Sequence, residues 1–277
     1  MHAVIEGVIC NKMSKWMIQK SFDGKTKFRT PILVEGLPGI GNVGKIAVDF
    51  LIDSLKPDLL YKIHSHSFPH SVFLNENNRV ELPSVNILNY RAPARDIMFL
   101  AGDVQPISER ASYEFCEKML DFMQELGCND IITLGGIGLP SEVKSPAIFG
   151  AVTDDETLKK YKKYKGIAFS TNQRVDAIVG ASGLLLGLAR LRGMRGVSLL
   201  TETYANQFHF GFLEAKTVLF ELKKILELKN LDLAPLEREI ETANRQRLKL
   251  ERNQQEPRQL KRFRAIPEAK PDTGYIG

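Results

Sequence analysis

The chain has 277 residues, of which 43% are hydrophobic and 26% charged, values typical of a soluble globular protein with one large core. Its apolar runs fall short of the ~20 residues that span a membrane, and its first residues lack the basic, apolar and small-residue order of a signal peptide. We therefore expect a cytoplasmic protein with one main domain and an appendage, not a membrane-spanning or secreted one.

Charge is distributed unevenly along the chain. The formal net charge is +5, and the segment from Pro235 to Gly277 carries ten Lys or Arg against seven Asp or Glu, so this segment contributes +3. A nearly neutral body argues against a broad nucleic-acid-binding surface there. The basic residues between Arg258 and Arg264 leave nucleic-acid binding by the tail as an alternative, although a solvated tail explains them more simply.

A glycine-rich turn between a strand and a helix is the strongest functional signal. Ile32 to Val34 is a short aliphatic run typical of a strand buried on both faces. Gly39-Ile40-Gly41-Asn42-Val43-Gly44 then matches the G-x-G-x-x-G dinucleotide pattern and, with Lys45, the G-x-x-x-x-G-K phosphate-loop pattern. An amphipathic helix is predicted to follow, ending at Leu55.

Both nucleotide-binding interpretations lack a required residue. The phosphate loop needs Ser or Thr after the lysine as a magnesium ligand, and this chain has Ile46 there. The dinucleotide fold needs an acidic residue at the end of the second strand, and Leu59 to Ile63 is followed by His64-Ser65-His66. A purely structural role, without a bound nucleotide, also explains the glycines, since they let the backbone adopt positive φ and let helix and sheet approach closely.

Candidate metal ligands are sparse. His64 and His66 would point to the same side of a strand, but no Cys or acidic third ligand lies at a supporting spacing, so we interpret them as surface or edge-strand histidines. Cys10, Cys116 and Cys128 are too few and too scattered for a disulfide framework or a zinc cluster. We predict buried, reduced thiols and neither a metal nor a cofactor.

Strand and helix patterns alternate through the rest of the chain. Asn75 to Asn78 joins two short apolar runs, which predicts a hairpin. Predicted strands cover Asp96 to Leu100, Ile131 to Leu134, Phe149 to Val152 and Val197 to Leu200, and predicted helices cover Ser108 to Leu126, a short segment from Asp154, Asp176 to Leu191 and Leu213 to Leu228. This alternation predicts an α/β fold, a three-layer α/β/α sandwich with a largely parallel central sheet.

Two of these predicted helices carry informative side chains. The buried face of the helix that begins at Ser108 is expected to contain Tyr113, Cys116, Met119, Leu120 and Met123. The helix from Asp176 contains Gly180, Gly183 and Gly187 at three- and four-residue spacing, each at a cost of up to ~1 kcal/mol relative to alanine. Close approach to another helix or to a second subunit would offset that cost.

A second glycine-rich segment, Gly135-Gly136-Ile137-Gly138, follows the predicted strand that ends at Leu134. Loops after parallel strands gather at the carboxyl edge of a sheet, where ligands usually bind. We therefore expect a possible ligand loop site formed by Gly39, Gly41, Gly44, Gly135, Gly136 and Gly138. Asp103 and Glu202 could line the same cleft.

The segment after Pro235 is predicted to be a separate unit. Leu236, Ile240, Ala243 and Leu250 follow a sparse heptad, which is typical of a projecting helix or a weak coiled coil. The predicted organisation is a globular domain over residues 1–234, followed over 235–277 by a charged helix and a flexible C-terminal tail.

Four ordered motifs resemble the proteasome assembly chaperone family in its archaeal form. They are Gly36 to Ala47, Phe68-Pro69 with its hairpin, Leu100 to Pro106, and Gly180 to Leu185, within a resemblance that spans roughly Ile32 to Leu228. The resemblance implies an α/β/α fold similar to nucleoside phosphorylases, assembly into small homo-oligomers, and no established catalytic site.

The resemblance also implies a role for the C-terminus. Some archaeal members of that family end in a hydrophobic residue, a tyrosine and any residue, and this tripeptide docks between α-subunits of the proteasome core particle. Here the chain ends in Tyr275-Ile276-Gly277, so the tyrosine is third from last rather than next to last. One residue is about 3.3 Å of extended chain, which changes the pocket that the ring can reach.

Two functional interpretations follow. The first is a non-enzymatic scaffold or adaptor that homo-oligomerises and presents its C-terminal tail, with Tyr275, Ile276 and Gly277, to a proteasome-like ring or another partner. The alternative is a nucleoside phosphorylase or hydrolase-type enzyme, in which the glycine-rich loops at 39–44 and 135–138 bind phosphate or ribose and Glu202 or Asp103 is the acid or base. No Ser-His-Asp, Cys-His or paired-carboxylate arrangement can be traced in the sequence.

Overall fold

The structure is a computed structural model that describes residues 16–22, 26–169, 176–206 and 209–242. Eleven strands lie within these ranges: β1 (Trp16–Lys20), β2 (Ile32–Gly36), β3 (Asp58–Ser65), β4 (Phe73–Leu74), β5 (Val80–Glu81), β6 (Val85–Arg91), β7 (Asp96–Gly102), β8 (Asp130–Leu139), β9 (Ile148–Val152), β10 (Ile167–Ala168) and β11 (Arg195–Tyr204). The α-helices described up to residue 225 are α1 (Val43–Leu55), α2 (Glu109–Glu125), α3 (Asp155–Tyr161), α4 (Ala181–Leu191) and α5 (Phe212–Ile225), and a 3-10 turn, Ile40–Asn42, precedes α1.

Nine of these strands form one mixed sheet in the order β1-β3-β6-β7-β2-β8-β11-β9-β10. The four central strands, β7, β2, β8 and β11, are parallel to one another. Antiparallel pairings join β1, β3, β6 and β7 on one side and β11 to β9 on the other. The predicted parallel sheet is therefore confirmed at its centre, with antiparallel strands added outside it.

Helices cover both faces of the sheet, as the predicted three-layer sandwich requires. One core lies between the sheet and α1 and α5, and it contains Ile32 and Val34 of β2. The other core lies beneath α2 and α4, and it contains Leu33. Because successive strand side chains point to opposite faces, a strand with a helix layer on each side must be apolar throughout, which is why Ile32 to Val34 is a continuous aliphatic run.

Two predictions about helices were wrong in detail. The helix predicted from Asp176 begins instead at Ala181, because Gly180 before it has φ of +90° and ψ of −167°, which is not helical. Tyr113 is exposed, whereas Cys116, Met119, Leu120 and Met123 are buried as predicted. The remaining predicted strands and helices occur with shifted ends, and residues 73–81 form the predicted hairpin, β4 with β5.

The second predicted glycine loop is also wrong, because residues 135–138 lie inside β8. The neighbouring strand β11 pairs with β8 in parallel register from Arg195 opposite Asp130 to Tyr204 opposite Leu139. This ten-residue ladder keeps the glycine segment extended. On its other side β8 pairs with β2 only from Asp130 to Thr133, so the glycines run past the end of β2.

The chain divides into two compact units, residues 1–236 and 237–277. Residues 237–242 of the second unit are described, and they are helical. The predicted boundary near residue 235 and the predicted tail stay predictions. No helix in the described part of the chain combines the length and apolar character needed to cross a bilayer.

Candidate functional site

The glycine-rich turn connects the end of β2 to the start of α1 at the carboxyl edge of the parallel strands. Gly39 is extended, with φ of −156°, and Gly41 and Asn42 have φ of +63° and +50°. Left-handed backbone is readily accessible to glycine and tolerated by asparagine. The turn therefore uses Gly41 for its conformation.

Other candidate glycines are required by close packing. A β-carbon on Gly44 would lie 2.6 Å from the carbonyl oxygen of Leu134, and one on Gly136 would overlap the carbonyl oxygen of Ile40. These two positions allow the turn and α1 to lie directly on β8. Gly39 differs, because a β-carbon there would meet no atom within 4 Å.

A cavity of about 390 Å³ lies beside this turn. Five of the six candidate glycines line it, namely Gly39, Gly44, Gly135, Gly136 and Gly138, together with Leu37, Ile40, Gln105, Leu134, Ile137, Asp176, Ala177, Ile178, Val179, Ser182 and Leu200. The predicted convergence of the two glycine segments is thus observed, and Gly41 is outside the lining. Among the described residues that line the cavity none is Lys, Arg or His, so a phosphate would meet backbone N–H groups and the carboxylate of Asp176.

Gln105 joins two walls of the cavity. Its side-chain amide nitrogen donates to the carbonyl oxygen of Pro38, and its Oε1 accepts from the backbone nitrogen of Ala181 at 3.0 Å. The second bond satisfies one of the N–H groups that the first turn of a helix leaves without a partner. Gln105 therefore fixes the glycine turn relative to the start of α4.

Glu35 lies behind the wall of the cavity and is fully buried. Its Oε1 accepts from the backbone nitrogen of Leu37 at 3.1 Å, while its Oε2 has no hydrogen-bond partner among the described residues. Burial raises the pKa of Glu35 to about 7, against the opposing effect of polar groups of Leu37, Ser182 and Leu134. A carboxyl group near its pKa at neutral pH is a titratable group that the sequence motifs did not indicate.

The phosphate-loop lysine is held by carboxylates. Lys45 Nζ lies 2.9 Å from Asp49 Oδ2 and 2.9 Å from Asp103 Oδ1. Partial burial works to lower the pKa of Lys45, but the hydrogen bonds and charges of Asp49 and Asp103 outweigh it and raise the pKa. Two carboxylates already compensate this ammonium, which makes it a poor phosphate ligand.

The acid-base residues of the enzyme hypothesis lie apart from the cavity. Neither Asp103 nor Glu202 is among the described residues that line it. Asp103 is exposed and bound to Lys45, and Glu202 Oε2 accepts from the backbone nitrogen of Ala147 at 3.2 Å. The expectation that both acids line one cleft with the glycines was wrong.

The buried carboxylate of Glu214 binds side chains of β11 and of the segment after it, and the backbone of that segment is hydrogen-bonded to the glycine turn. Glu214 Oε1 accepts from Thr203 Oγ1 at 3.0 Å and lies 2.8 Å from His209 Nε2. The backbone nitrogen of Gly211 donates to the carbonyl oxygen of Gly41 at 2.8 Å. No sequence motif indicates this arrangement, since even Thr203, the nearest of its residues in sequence, is 159 positions beyond Gly44.

The histidines and cysteines named in the sequence are not among the described residues that line the cavity. His64 Nδ1 lies 2.9 Å from the carbonyl oxygen of Pro83, and no group of three potential metal ligands occurs among the described residues. Cys116 and Cys128 are buried thiols without disulfide bonds, and burial raises the pKa of Cys128 to about 12. Cys10, the basic residues from Arg258 to Arg264, and Tyr275, Ile276 and Gly277 lie outside the described residues.

The cavity and the glycine turn fall within a segment shared with a known family. The profile of the PAC2 family matches residues 33–251, which is most of the chain. The chain belongs to the PAC2 family.

Three archaeal proteins are similar to this PAC2 family chain over most of its length. An uncharacterized protein, MJ1210, of Methanocaldococcus jannaschii is 31% identical over 250 residues, which are 89% of this chain and 92% of the relative. The crystal structure of Pyrococcus furiosus PbaB, described as an archaeal proteasome activator, is 35% identical with a TM-score of 0.80, and the match covers 86% of this chain and 100% of PbaB. Pyrococcus furiosus PbaA, described as an archaeal homolog of proteasome-assembly chaperone, is 25% identical with a TM-score of 0.65, covering 80% of this chain and 92% of PbaA.

These similarities confirm the resemblance to the proteasome assembly chaperone family in its archaeal form. They also confirm the α/β fold, since PbaB has the same fold over its full length. The implied likeness of the PAC2 fold to nucleoside phosphorylases stays a prediction.

Proposed function

We propose that this PAC2 family chain is a non-enzymatic adaptor that self-associates and presents its C-terminal tail to a proteasome core particle. The observation that carries the proposal is the similarity to PbaB, an archaeal proteasome activator, over all of that chain. The similarity to PbaA, a homolog of a proteasome-assembly chaperone, supports the same class of partner. Fold alone does not determine function, so the proposal also has to fit the residues.

The glycine-rich site fits a scaffold better than an enzyme. The tight contacts of Gly44 with Leu134 and of Gly136 with Ile40 give these glycines a packing role that needs no ligand. The described lining of the cavity contains no cationic side chain, and Asp103 and Glu202 lie elsewhere. Asp176 is the one acidic side chain among the described residues that line the cavity, so a nucleoside phosphorylase there would lack a cationic group to bind its phosphate.

Self-association is supported by apolar side chains that the described chain leaves exposed. Val72, Phe73, Leu74, Val80 and Leu82 are all exposed, and they lie on or beside the β4–β5 hairpin. Contiguous exposed apolar groups of this kind are typical of protein–protein contacts. We assign the hairpin to contact with a second copy of the chain.

The tail is proposed to bind by capture of its end. A terminal carboxylate can pair with a lysine or with a nest of backbone N–H groups while an aromatic ring fills a pocket. Tyr275 would supply the ring and Gly277 the carboxylate. Since Tyr275 is third from last, its pocket would lie about 3.3 Å farther from the carboxylate than that of a next-to-last tyrosine.

A pull-down with proteasome α-subunits tests the tail. The full chain is compared with a chain lacking residues 275–277, with Tyr275→Ala, and with Thr273→Ala as a matched control two residues away. We expect the full chain and Thr273→Ala to capture the α-subunits and the other two variants to lose capture. Equal capture by all four would remove Tyr275 to Gly277 from the mechanism.

Turnover distinguishes the adaptor from the enzyme. A panel of nucleosides with and without phosphate is incubated with the full chain, and release of free base is measured. We expect no release above that of buffer. Release that depends on the protein, and that is lost in Asp103→Asn or Glu202→Gln, would establish the enzymatic alternative.

A further inference from the structure

A cluster of positive charges surrounds one carboxylate at the opposite edge of the sheet, where the parallel strands begin. Asp130 is the first residue of β8, and Arg195, the first residue of β11, is its register partner. Arg95 directly precedes β7, and Lys160 is in the last turn of α3. Four elements therefore place these side chains together.

The three cations contact the same carboxylate group. Arg195 Nε lies 3.0 Å from Asp130 Oδ1, Lys160 Nζ lies 3.7 Å from the same oxygen, and Arg95 Nη2 lies 3.2 Å from Oδ2. Lys160 Nζ and Arg195 Nε thus cannot be farther apart than the sum of their two distances. One negative charge faces three positive charges within the span of a single small anion.

Asp96, the neighbouring acid, does not neutralise the excess positive charge, because it is already paired with Arg29. Asp96 is buried and lies 3.2 Å from Arg29 Nη2, while its other oxygen accepts from the backbone nitrogen of Arg29 at 3.0 Å. Together Arg29, Arg95, Lys160 and Arg195 exceed Asp96 and Asp130 by two positive charges. Like charges so close repel, and an added anion would relieve the repulsion.

The cluster has a fixed base and an exposed rim. Arg95 donates to the carbonyl oxygens of Thr30 and Pro31 at 3.1 and 3.4 Å, and its side chain is 24% exposed. The side chains of Lys160 and Arg195 are 44% and 55% exposed. A ligand could therefore reach the two rim cations without displacing Arg95.

The titration of Lys160 agrees with this surplus of positive charge. Partial burial is the largest cause that lowers the pKa of Lys160. Asp130 opposes the shift, and the charges of Arg95 and Arg195 add to it. Burial together with the two guanidinium charges thus outweighs the stabilisation of the ammonium by Asp130.

We propose that Arg95, Lys160 and Arg195 form a binding site for a phosphate group that carries two negative charges. Guanidinium groups present paired donors that match phosphate oxygens, and a nearby ammonium adds a point charge. The surplus of two charges matches a phosphate dianion better than a single carboxylate. The compactness of the cluster favours one small anion over an extended acidic partner. This inference is independent of the proposed function, since the site is at the edge of the sheet opposite the glycine turn.

Thermal unfolding of the full chain at about pH 8 tests the site, with inorganic phosphate or AMP as the probe and sodium chloride at matched ionic strength as the reference. A ligand that binds the folded state raises the melting temperature according to its concentration and Kd. We expect both probes to raise it above the chloride reference. If AMP raises the melting temperature and inorganic phosphate does not, the ligand is a phosphate monoester, and this result also supports the site.

Charge-matched variants locate the effect. Lys160→Gln with Arg195→Gln should weaken the affinity for phosphate by about tenfold or more, while Lys162→Gln with Lys165→Gln removes the same charge from exposed residues nearby and should leave it unchanged. If the double variant Lys160→Gln with Arg195→Gln does not fold, the single variant Lys160→Gln replaces it, and this variant should also bind phosphate more weakly than the wild type. Equal stabilisation by chloride, equal loss in both pairs, or unchanged binding in the first pair would each overturn the proposal and leave the cluster a purely structural one.

Discussion

Gly44 in the first turn of α1 lies against the backbone of Leu134 in β8, so closely that a β-carbon at position 44 would be 2.6 Å from the Leu134 carbonyl oxygen. The contact fixes the distance between a helix and the strand beneath it. Gly39, five residues earlier in the same motif, has open space around its α-carbon. One glycine pattern therefore contains positions with opposite physical requirements.

Gly44→Ala should destabilise the fold. Alanine improves helix propensity by up to ~1 kcal/mol, but the overlap with a backbone oxygen forces α1 to shift, which costs typically 1–3 kcal/mol. We expect a net loss of about 1–2 kcal/mol in the free energy of unfolding, measured by chemical denaturation. Gly39→Ala is the control and should change it by less than about 0.5 kcal/mol, and equal losses in the two variants would contradict the packing role of Gly44.

Glu35 should make stability depend on pH. Its pKa is about 7 in the folded chain against 4.5 as a free side chain, so the folded state binds more protons between these values. The stabilisation is complete below about pH 4.5 and is lost as pH rises through 7. Between about pH 5 and pH 8 the loss attributable to this group is about 2–3 kcal/mol.

Glu35→Gln isolates that dependence, because the amide has a similar shape and does not titrate. We expect the free energy of unfolding of the wild type to fall more steeply from about pH 5 to pH 8 than that of Glu35→Gln. Above pH 7 the variant should gain relative to the wild type. Parallel pH profiles for the two proteins would show that the Glu35 carboxyl is not perturbed by burial.

Glu214→Ala should loosen the segment that follows β11. The change leaves Thr203 Oγ1 and His209 without their shared acceptor, and a lost buried partner of this kind costs about 1–3 kcal/mol. Glu109→Ala is a matched control, since Glu109 is an exposed acid in the first turn of α2. We expect faster hydrogen exchange at residues 209–211 in Glu214→Ala alone. Similar exchange in both variants would show that the contacts of Glu214 with Thr203 and His209 do not hold this segment in place.

We expect the exposed β4–β5 hairpin to be the surface through which two copies of the chain associate. Leu74→Glu would place a charge in the proposed contact, which should dissociate the oligomer. Leu191→Glu is the control, since Leu191 is also an exposed apolar residue but lies at the end of α4. Light-scattering mass is the measurement. A lower mass for Leu191→Glu with an unchanged mass for Leu74→Glu would move the interface away from the hairpin.

Much of the fold was predictable from local pattern. Continuous aliphatic runs marked strands with helices on both faces, as at Ile32 to Val34, and Ser108 marked the start of α2 because its hydroxyl accepts from the backbone nitrogen of Ala111. The extension of β8 through Gly135 to Gly138 was not predictable in this way. Glycine favours loops locally, and only pairing with the distant strand β11 keeps the segment extended.

The candidate site was predictable in its glycines and not in its polar groups. The motifs located the turn, but the role of Gln105 depends on Pro38 and Ala181, which are 67 and 76 residues away. Glu35 sits in an otherwise apolar strand, and its burial follows from the helix layer above it. Contacts between elements that are distant in sequence leave no local pattern to detect.

The four parallel strands separate the glycine turn from the arginine and lysine cluster around Asp130. The shortest of them, β2, has five residues, which corresponds to about 16 Å of extended chain. Free-energy effects of substitutions this far apart usually sum independently. The two ends of the molecule can therefore be altered separately, and a double variant of Gly44→Ala and Lys160→Gln should report whether they communicate.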